Sequence, residues 1–405
     1  MDNRQELSNL MQIRAFCQVV DQGSVSRAAD ELYRTQSAIT RAIRDLETRL
    51  AVPLFERHAN GMMLTDFGKC ILPRARRAIE ELHQAAVTLH KLQSKNGSSR
   101  SMTDPLYLFN VNRLQIFVSL CQTRHMQTVA KLLGLSQPAV SAALRVMENG
   151  AEMPLLQRTP QGMIPGIAGQ EILPYILRAL NELRHIPADI AELQGVLVGR
   201  VQIGALPLSR SRLLPRAILA VTERYPGIRI ITNESAFAQL ATGLRSGEVD
   251  FIIGALRTRD YAADMVTETL FSEEMVILAR PDHPLNREGV TPDDLRSARW
   301  VLPRSETPAR ELLDRSFGAM QIPAPNPVVE SGDLAIVRGL LLGSDMLAAV
   351  SARQLEHELS HGELVTIPLS MENTRRAIGI TRRAGSLLSP AAKAMIDAIR
   401  QQLAS

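Results

Sequence analysis

Thr35-Gln36-Ser37-Ala38-Ile39-Thr40-Arg41-Ala42-Ile43-Arg44-Asp45-Leu46-Glu47 returns 101 residues later as Ser136-Gln137-Pro138-Ala139-Val140-Ser141-Ala142-Ala143-Leu144-Arg145-Val146-Met147-Glu148. Each stretch opens on a hydroxyl suited to capping a helix, then sets apolar residues at helical spacing opposite amides, hydroxyls and guanidiniums. Working outward, residues 13–82 align with 114–183 without a gap, and roughly twenty of the roughly seventy pairs are identical. Ala29 matches Ala130, Leu32 matches Leu133, Pro53-Leu54 matches Pro154-Leu155, Gly61-Met62 matches Gly162-Met163, and Ile71-Leu72-Pro73 matches Ile172-Leu173-Pro174. A chance helical pattern does not keep Gly and Pro in register, so the chain carries two copies of one domain.

In the first copy Leu10, Ile13, Phe16, Cys17 and Val20 fall at helical spacing and Gly23 stops the helix. Ser24 is placed to cap a second helix over 25–32, and after the turn Tyr33-Arg34 a third starts with Thr35 as its cap. Two helices across such a turn make a helix-turn-helix, with Ala29, Leu32, Ile39, Ile43 and Leu46 facing inward. Gln36, Ser37, Thr40, Arg41 and Arg44 then form an outer face of the kind that reads base edges and phosphates in a major groove. A merely solvated polar face is the alternative. The continuation favours DNA: Asn60-Gly61 between two short apolar runs predicts a hairpin, hence a wing. A long helix follows, with Leu72, Ile79 and Ala86 in one seven-residue series and Ala75, Leu82 and Leu89 in another. That seam suits pairing of two chains, the alternative being packing on its own domain. The expected DNA contacts are Ser24, Arg34, Thr35, Gln36, Ser37, Thr40, Arg41, Arg44 and Arg57, and in the second copy Ser136, Gln137, Pro138, Ser141, Arg145 and Arg158.

Gly23-Ser24-Val25-Ser26-Arg27-Ala28-Ala29, the recognition-helix stretch from Gln36 to Glu47, and Pro53-Leu54-Phe55-Glu56-Arg57 together resemble the LysR-type transcriptional regulators. The resemblance extends from about residue 8 to about 400. It implies a winged module, a linker helix and an effector region built like a periplasmic solute-binding protein, and the duplication resembles a minority of the family with a second N-terminal module. The copies differ: residues 13–82 hold eleven Lys or Arg and residues 114–183 hold five, with Arg41 replaced by Ala142 and Arg27 by Thr128. Phosphate contacts scale with such residues, which ranks the first copy above the second as a DNA reader. Ser136-Gln137-Pro138-Ala139-Val140-Ser141 is nevertheless nearer the family's usual recognition-helix start, and Pro138 is tolerable in the first turn.

After about Leu197, β-rich runs alternate with helical stretches, which argues for parallel α/β sheets. The fold class is therefore α+β multidomain: two winged helix-turn-helix domains with linker helices over 8–92 and 110–195, a flexible Gly/Ser-rich linker over 93–109, and a two-subdomain effector domain over 196–405. By resemblance a small molecule sits between the subdomains, at strand ends and helix starts. Leu208 stands where the family often has a hydroxyl, with Ser209 and Ser211 following. Ser235, Phe237, Arg257, Ser305, Thr307 and Ser331 are the other cleft candidates, each also readable as a cap or loop residue.

The 405 residues, 45% hydrophobic and 22% charged, describe a globular protein of two to three domains. A surplus of 46 Lys and Arg over 42 Asp and Glu is too small to carry an argument alone. Three cysteines without metal spacing predict reduced thiols and no zinc site, and none of them lies in the effector half, which leaves thiol-based peroxide sensing without residues. There is no GxSxG, P-loop or HExxH, so neither an enzyme nor a cofactor is expected. No membrane span or signal peptide is visible, which places the chain in the cytoplasm and disfavours a solute-binding carrier. The expected partners are double-stranded DNA, a small-molecule effector such as an organic acid or sugar, further copies as a homodimer or homotetramer, and RNA polymerase if the regulator activates. A variant of this reading makes one repeat a dimerisation element only.

Overall fold

The structure, a computed structural model, describes residues 9–58, 61–95, 104–257, 264–305 and 307–404. The chain forms two compact units, residues 1–199 with 245–248, and 200–244 with 249–405.

The first unit contains the repeat twice over. Helices α1 (Leu10–Gln22), α2 (Val25–Glu31) and α3 (Gln36–Leu50), strands β1 (Phe55–His58) and β2 (Gly61–Leu64), and α4 (Asp66–Lys95) recur as α5 (Val111–Thr123), α6 (Met126–Leu133), α7 (Gln137–Ala151), β3 (Leu156–Thr159), β4 (Gly162–Pro165) and α8 (Ile167–Leu193). The wing strands pair antiparallel in the same register, Phe55 with Leu64 and Leu156 with Pro165. Asn60, half of the anticipated Asn-Gly turn, lies outside the described residues. Backbone geometry repeats even where residues do not. Gly23 and Arg124 end their helices at φ 62° and 66°, and Tyr33 and Gly134 turn between helices at φ 50° and 63°. Thr35 and Ser136 cap α3 and α7 by accepting from the Ala38 and Ala139 amides, whereas Ser24 makes no side-chain cap bond.

Glu47 and Glu148, identical across the repeat, have a common task. Each carboxylate accepts from the two amides that start the wing, Leu54 and Phe55 at 2.8 and 3.2 Å, Leu155 and Leu156 at 3.0 and 3.2 Å. Leu54 and Leu155 stand just before the strands and Phe55 and Leu156 open them, so the carboxylate satisfies amides at the very start of the ladder, beside the core.

Two expectations change here. α4 runs to Lys95, and the far end of the anticipated linker is packed rather than loose: Leu106–Leu108 forms a 3-10 turn, with Leu108 and Phe109 buried. Within the apolar run Leu106-Tyr107-Leu108-Phe109 the last two side chains leave water and Tyr107 does so in part, while Leu106 stays exposed. The seam of α4 is also filled within the chain, because α4 packs along α8, burying Ala75, Ala78, Leu82, Ala85 and Leu89 with Ile172, Ile176, Ala179, Leu183 and Ile186. The pairing is antiparallel, since Cys70 reaches Asp189 while Glu81 reaches Arg178.

The second unit has two five-stranded sheets. The first, in the order β6-β5-β7-β14-β8, is built from β5 (Gly199–Ala205), β6 (Ile228–Asn233), β7 (Phe251–Ala255), β8 (Met265–Glu273) and β14 (Arg376–Arg383). The second, β11-β10-β12-β9-β13, contains β9 (Met275–Ala279), β10 (Arg299–Leu302), β11 (Val329–Glu330), β12 (Met346–Ser351) and β13 (Val365–Thr366). Helices α9 (Pro207–Arg210), α10 (Leu213–Arg224), α11 (Phe237–Ser246) and α15 (Pro390–Ala404) accompany the first sheet in sequence, and α12 (Pro308–Ala319), α13 (Leu334–Gly343) and α14 (Glu356–Ser360) the second.

The parallel pairing anticipated from the alternation of strands and helices is present, within sheets that are mixed. β5 and β7, and β10 with β11 and β12, run parallel, but β14 and β9 are antiparallel to their neighbours. The chain crosses from β8 into β9 and returns through β14, so the crossing strands enter each sheet from the opposite direction. Two contacts stand at the crossings, one half-buried and one buried. Arg376 donates to Glu273 at 2.8 Å, and the Thr374 hydroxyl accepts from the Met275 amide at 3.1 Å. Trp300 and Phe317 meet edge to face at 5.4 Å in the core of the second sheet.

Candidate nucleic-acid interface and effector cleft

The inward side of α3 is made by buried Ile39, Ile43 and Leu46, which turns Gln36, Ser37, Arg41 and Arg44 outward into solvent, with Thr40 half-buried between them. Gln36, Ser37, Thr40, Arg41, Arg44 and Asp45 line an open concavity of about 580 Å³. Thr40 donates its hydroxyl to the Gln36 carbonyl, and the Thr35 and Ser37 hydroxyls lie 3.0 Å apart, which orders the start of the helix. Arg41 stands 3.9 Å from exposed Asp45, a screened contact that leaves its guanidinium accessible. Arg34 is exposed at the turn beside Tyr33, which is 95% exposed although aromatic and which the motif reading did not single out. Ser24 is half-buried, and Arg57 lies on β1 in the wing.

In the second copy α7 buries Val140, Leu144 and Met147 and exposes Gln137, Pro138 and Arg145. Ser141 is half-buried, Ser136 is exposed while capping the helix, and Arg158 is exposed on the wing. The structure therefore groups the expected residues of each copy around one recognition helix and its wing.

The basic surplus of the first copy shrinks once its partners are known. Arg14 is held by Asp104, Arg74 by Asp189 and Glu182, Arg76 by Asp21, Arg77 by Glu182 and Lys69 by Asp66. With the looser Arg41–Asp45 contact, at least six of the eleven cations counted from sequence thus answer acids within their own unit, compared with Arg178 among the five of the second copy. Apart from Lys69–Asp66 and Arg41–Asp45, three and four residues apart on their helices, this pairing is tertiary and leaves no local sequence signal.

In the effector unit the candidates separate into two groups. Leu208, Ser209, Phe237 and Arg257 gather at strand ends of the first sheet, where Arg257 lies over the Phe237 ring at 4.8 Å. Ser209 departs from expectation: it is fully buried, and its hydroxyl donates to the Leu206 carbonyl at 2.8 Å, so it is committed to the backbone. Leu208 is buried too, while Ser235 is half-buried and its amide donates to Asn233. By the second sheet, Ser305 is exposed, Thr307 caps α12 by accepting from the Arg310 amide, and Ser331 accepts from the Asp333 amide. Thr307 and Ser331 therefore have turn and cap work of their own.

A cavity of about 600 Å³ opens between Ser211, Arg212 and Arg216 on one side and Leu334, Arg338, Arg353 and Glu356 on the other. Sequence reasoning missed these arginines, of which Arg212 and Arg216 lie more than 120 residues before Arg338 and Arg353. Arg212 pairs with Glu356, whose carboxyl that hydrogen bond holds below the usual carboxylate range. Arg353 stacks on Phe271 at 4.6 Å. Burial pushes the Cys17 and Cys121 thiols up to about 12, so neither is a thiolate at neutral pH. Among the described residues no cluster of His, Cys, Asp or Glu is arranged to hold a metal, and no helix is long and apolar enough to cross a membrane.

Comparison with known proteins agrees with this geometry. Residues 10–69 and again 111–170 match the bacterial regulatory helix-turn-helix family of the lysR type, and residues 194–404 match the LysR substrate binding domain. The chain is 57% identical to the HTH-type transcriptional regulator GalR of Pseudomonas putida over 98% of both proteins. It is 26% identical to the uncharacterized HTH-type transcriptional regulator YdcI of Escherichia coli over 72% of this chain and 95% of that one. Among solved structures, full-length OxyR from Pseudomonas aeruginosa superposes with a TM-score of 0.56 at 22% identity, covering 72% of this chain and 97% of that one, a likeness of fold. With a helix-turn-helix matched twice, an effector domain matched once and a 57% identical regulator spanning its whole length, the chain belongs to the LysR family of DNA-binding transcriptional regulators.

Proposed function

We propose that both winged modules contact duplex DNA. In the first copy Arg34, Thr35, Gln36, Ser37, Thr40, Arg41 and Arg44 meet the major groove while Ser24 and Arg57 flank it; in the second, Ser136, Gln137, Pro138, Ser141 and Arg145 do so with Arg158 on the wing. The observation that carries this reading is that both recognition helices keep an outward face of Gln, hydroxyl and Arg above a fully packed inner face. Side chains of these types hydrogen-bond base edges and neutralise phosphates. That α7 retains this face speaks against a second copy that serves dimerisation only. The effector is a small anion, an organic acid in preference to a neutral sugar, because arginines present their guanidiniums on the effector unit: half-buried Arg257 over Phe237, and exposed Arg216 and Arg353 in the cavity of about 600 Å³. Leu208, Ser235, Phe237 and Arg257 approach it from the first sheet and Ser305, Thr307 and Ser331 from the second, with Ser209 supporting them from beneath. Further copies of the chain, as a homodimer or homotetramer, and RNA polymerase complete the assembly when the regulator activates.

The test is a fluorescence-anisotropy titration of the full chain with promoter fragments beside its own gene, at several salt concentrations and with and without candidate organic acids. Binding should weaken along a straight line in log salt, because each neutralised phosphate releases counterions. An effector that acts must change DNA affinity, and reciprocity requires DNA to change effector affinity by the same factor. Absence of binding to every fragment at low salt would end the DNA reading.

A further inference from the structure

The seam between α4 and α8 holds one ion pair twice. Arg178 donates to Glu81 at 2.7 Å, and Arg77 approaches Glu182 at 3.7 Å. Arg77 and Arg178 are 101 residues apart, and so are Glu81 and Glu182, so each pair is the image of the other under the operation that exchanges the two copies. An antiparallel seam with that property has a local two-fold axis through its middle, as an interface between two identical chains would.

A second polar group breaks that symmetry. Arg74 is 3% exposed at its side chain and binds Asp189 and Glu182, the latter at 2.9 Å. The counterpart of Arg74 is Tyr175, and the counterpart of Asp189 is Thr88. Were α4 to pair with α4 of another chain in the same register, each Arg74 would lose Asp189, face Thr88 in its place and keep one acid, Glu81, the counterpart of Glu182. Were α8 to pair with α8, each Asp189 would face Tyr175 with no cation. The first pairing strips a buried guanidinium of one of its two carboxylates and the second buries an acid without its cation, and a single polar mismatch in a helical seam is enough to select partner and register.

From this we infer that the DNA-reading unit is complete within one chain: α3 and α7 read the two halves of an operator that lacks two-fold sequence symmetry. The same axis that relates α4 to α8 carries α3 onto α7, so the two recognition helices present corresponding faces to the two backbone directions of a duplex. Their contact faces are not copies. Gln36 and Arg44 recur as Gln137 and Arg145, but Ser37, Thr40 and Arg41 become Pro138, Ser141 and Ala142. Two related but unlike half-sites follow, the one under α3 carrying the additional arginine contact. This inference rests on DNA binding by both modules.

Selection of duplexes from a random pool by the full-length chain, by Arg41→Ala and by Arg145→Ala tests it. The wild type should enrich a site with two unlike halves. Arg41→Ala should relax base preference in one half only and Arg145→Ala in the other only, each weakening binding about 5- to 150-fold. A co-refolded mixture of the two variants should bind no better than the variants alone, because no chain carries both intact helices. Identical inverted halves, both relaxed by Arg41→Ala, or recovery of wild-type affinity in the mixture, would overturn the inference in favour of pairing between chains. Failure of the wild type to enrich any sequence would instead refute the DNA reading beneath it.

Discussion

Replacing Arg74 with Met puts the energetics of the α4–α8 seam to a direct test. The guanidinium lies between two carboxylates whose side chains are 7% and 13% exposed, Glu182 and Asp189, and is itself 3% exposed. Methionine keeps most of the stem's packing while removing the charge, so Asp189 loses this cation and Glu182 falls back on Arg77. Breaking a buried pair by removing one partner costs about 3–5 kcal/mol. For a unit of this size each kcal/mol moves the midpoint by about 2–4 °C, giving a shift of about 6–20 °C. The second substitution, Asp189→Leu on top of Arg74→Met, should recover most of it, because Glu182 still has Arg77 at 3.7 Å and an apolar seam replaces the broken pair. The chain supplies its own control. Its single tryptophan, Trp300, is buried in the effector unit, so tryptophan fluorescence follows that unit while calorimetry follows both. Arg74→Met should lower the calorimetric transition of the first unit and leave the Trp300 transition in place. A loss below about 1 kcal/mol, or a double variant no more stable than the single, would show that the polar cluster does not specify the seam.

Two further outcomes are open to simpler measurement. A Cβ at Gly68 would stand 2.3 Å from the Leu54 carbonyl oxygen, and at the corresponding Gly169 2.1 Å from that of Leu155, so alanine at either site should destabilise by about 1–3 kcal/mol, whereas Gly318→Ala in open space should be neutral or slightly stabilising in urea melts; equal tolerance at all three would remove the close-packing argument. The Arg400 hydrogen bond holds the Glu268 carboxyl below the usual range, so this pair's contribution is present above a pH of about 4.3 and lost as pH falls through the depressed value. Arg400→Ala should therefore lower urea midpoints at pH 6 by a small, salt-screened amount, and the difference from the wild type should shrink as pH falls through the depressed value. A constant offset across that range would place the effect elsewhere.

Much of the architecture was readable because the repeat supplies its own alignment. Identities such as Glu47 with Glu148 and Gly68 with Gly169 mark positions where the backbone makes a demand: two amides to be satisfied at the start of the wing, and a helix that meets a carbonyl too closely for a side chain. Recognition-helix faces were readable for the same reason, since 3.6-residue periodicity is local. The effector cavity was not, because Arg212 and Arg353 are brought together by strands that leave one sheet and return to it, and no short window of sequence records such a crossing. Nor was the mixed direction of the sheets, which follows from that same return.

The partner of α4 shows where similarity ceases to inform. Heptad spacing of Ala75, Leu82 and Leu89 says that this helix needs a companion and is silent on whether the companion lies on another chain. What answers the question are residues at which the copies disagree, Arg74 against Tyr175 and Thr88 against Asp189, and alignment by likeness discards them as noise. In a fused pair of former equals, identical positions maintain the fold common to both halves, and the unlike positions in the seam determine which half meets which. The same logic extends to the recognition helices. Once α4 and α8 hold the two modules in one chain, no symmetry obliges α3 and α7 to read the same bases, and the exchange of Arg41 for Ala142 is a difference that two chains pairing through identical helices would have to carry twice or not at all.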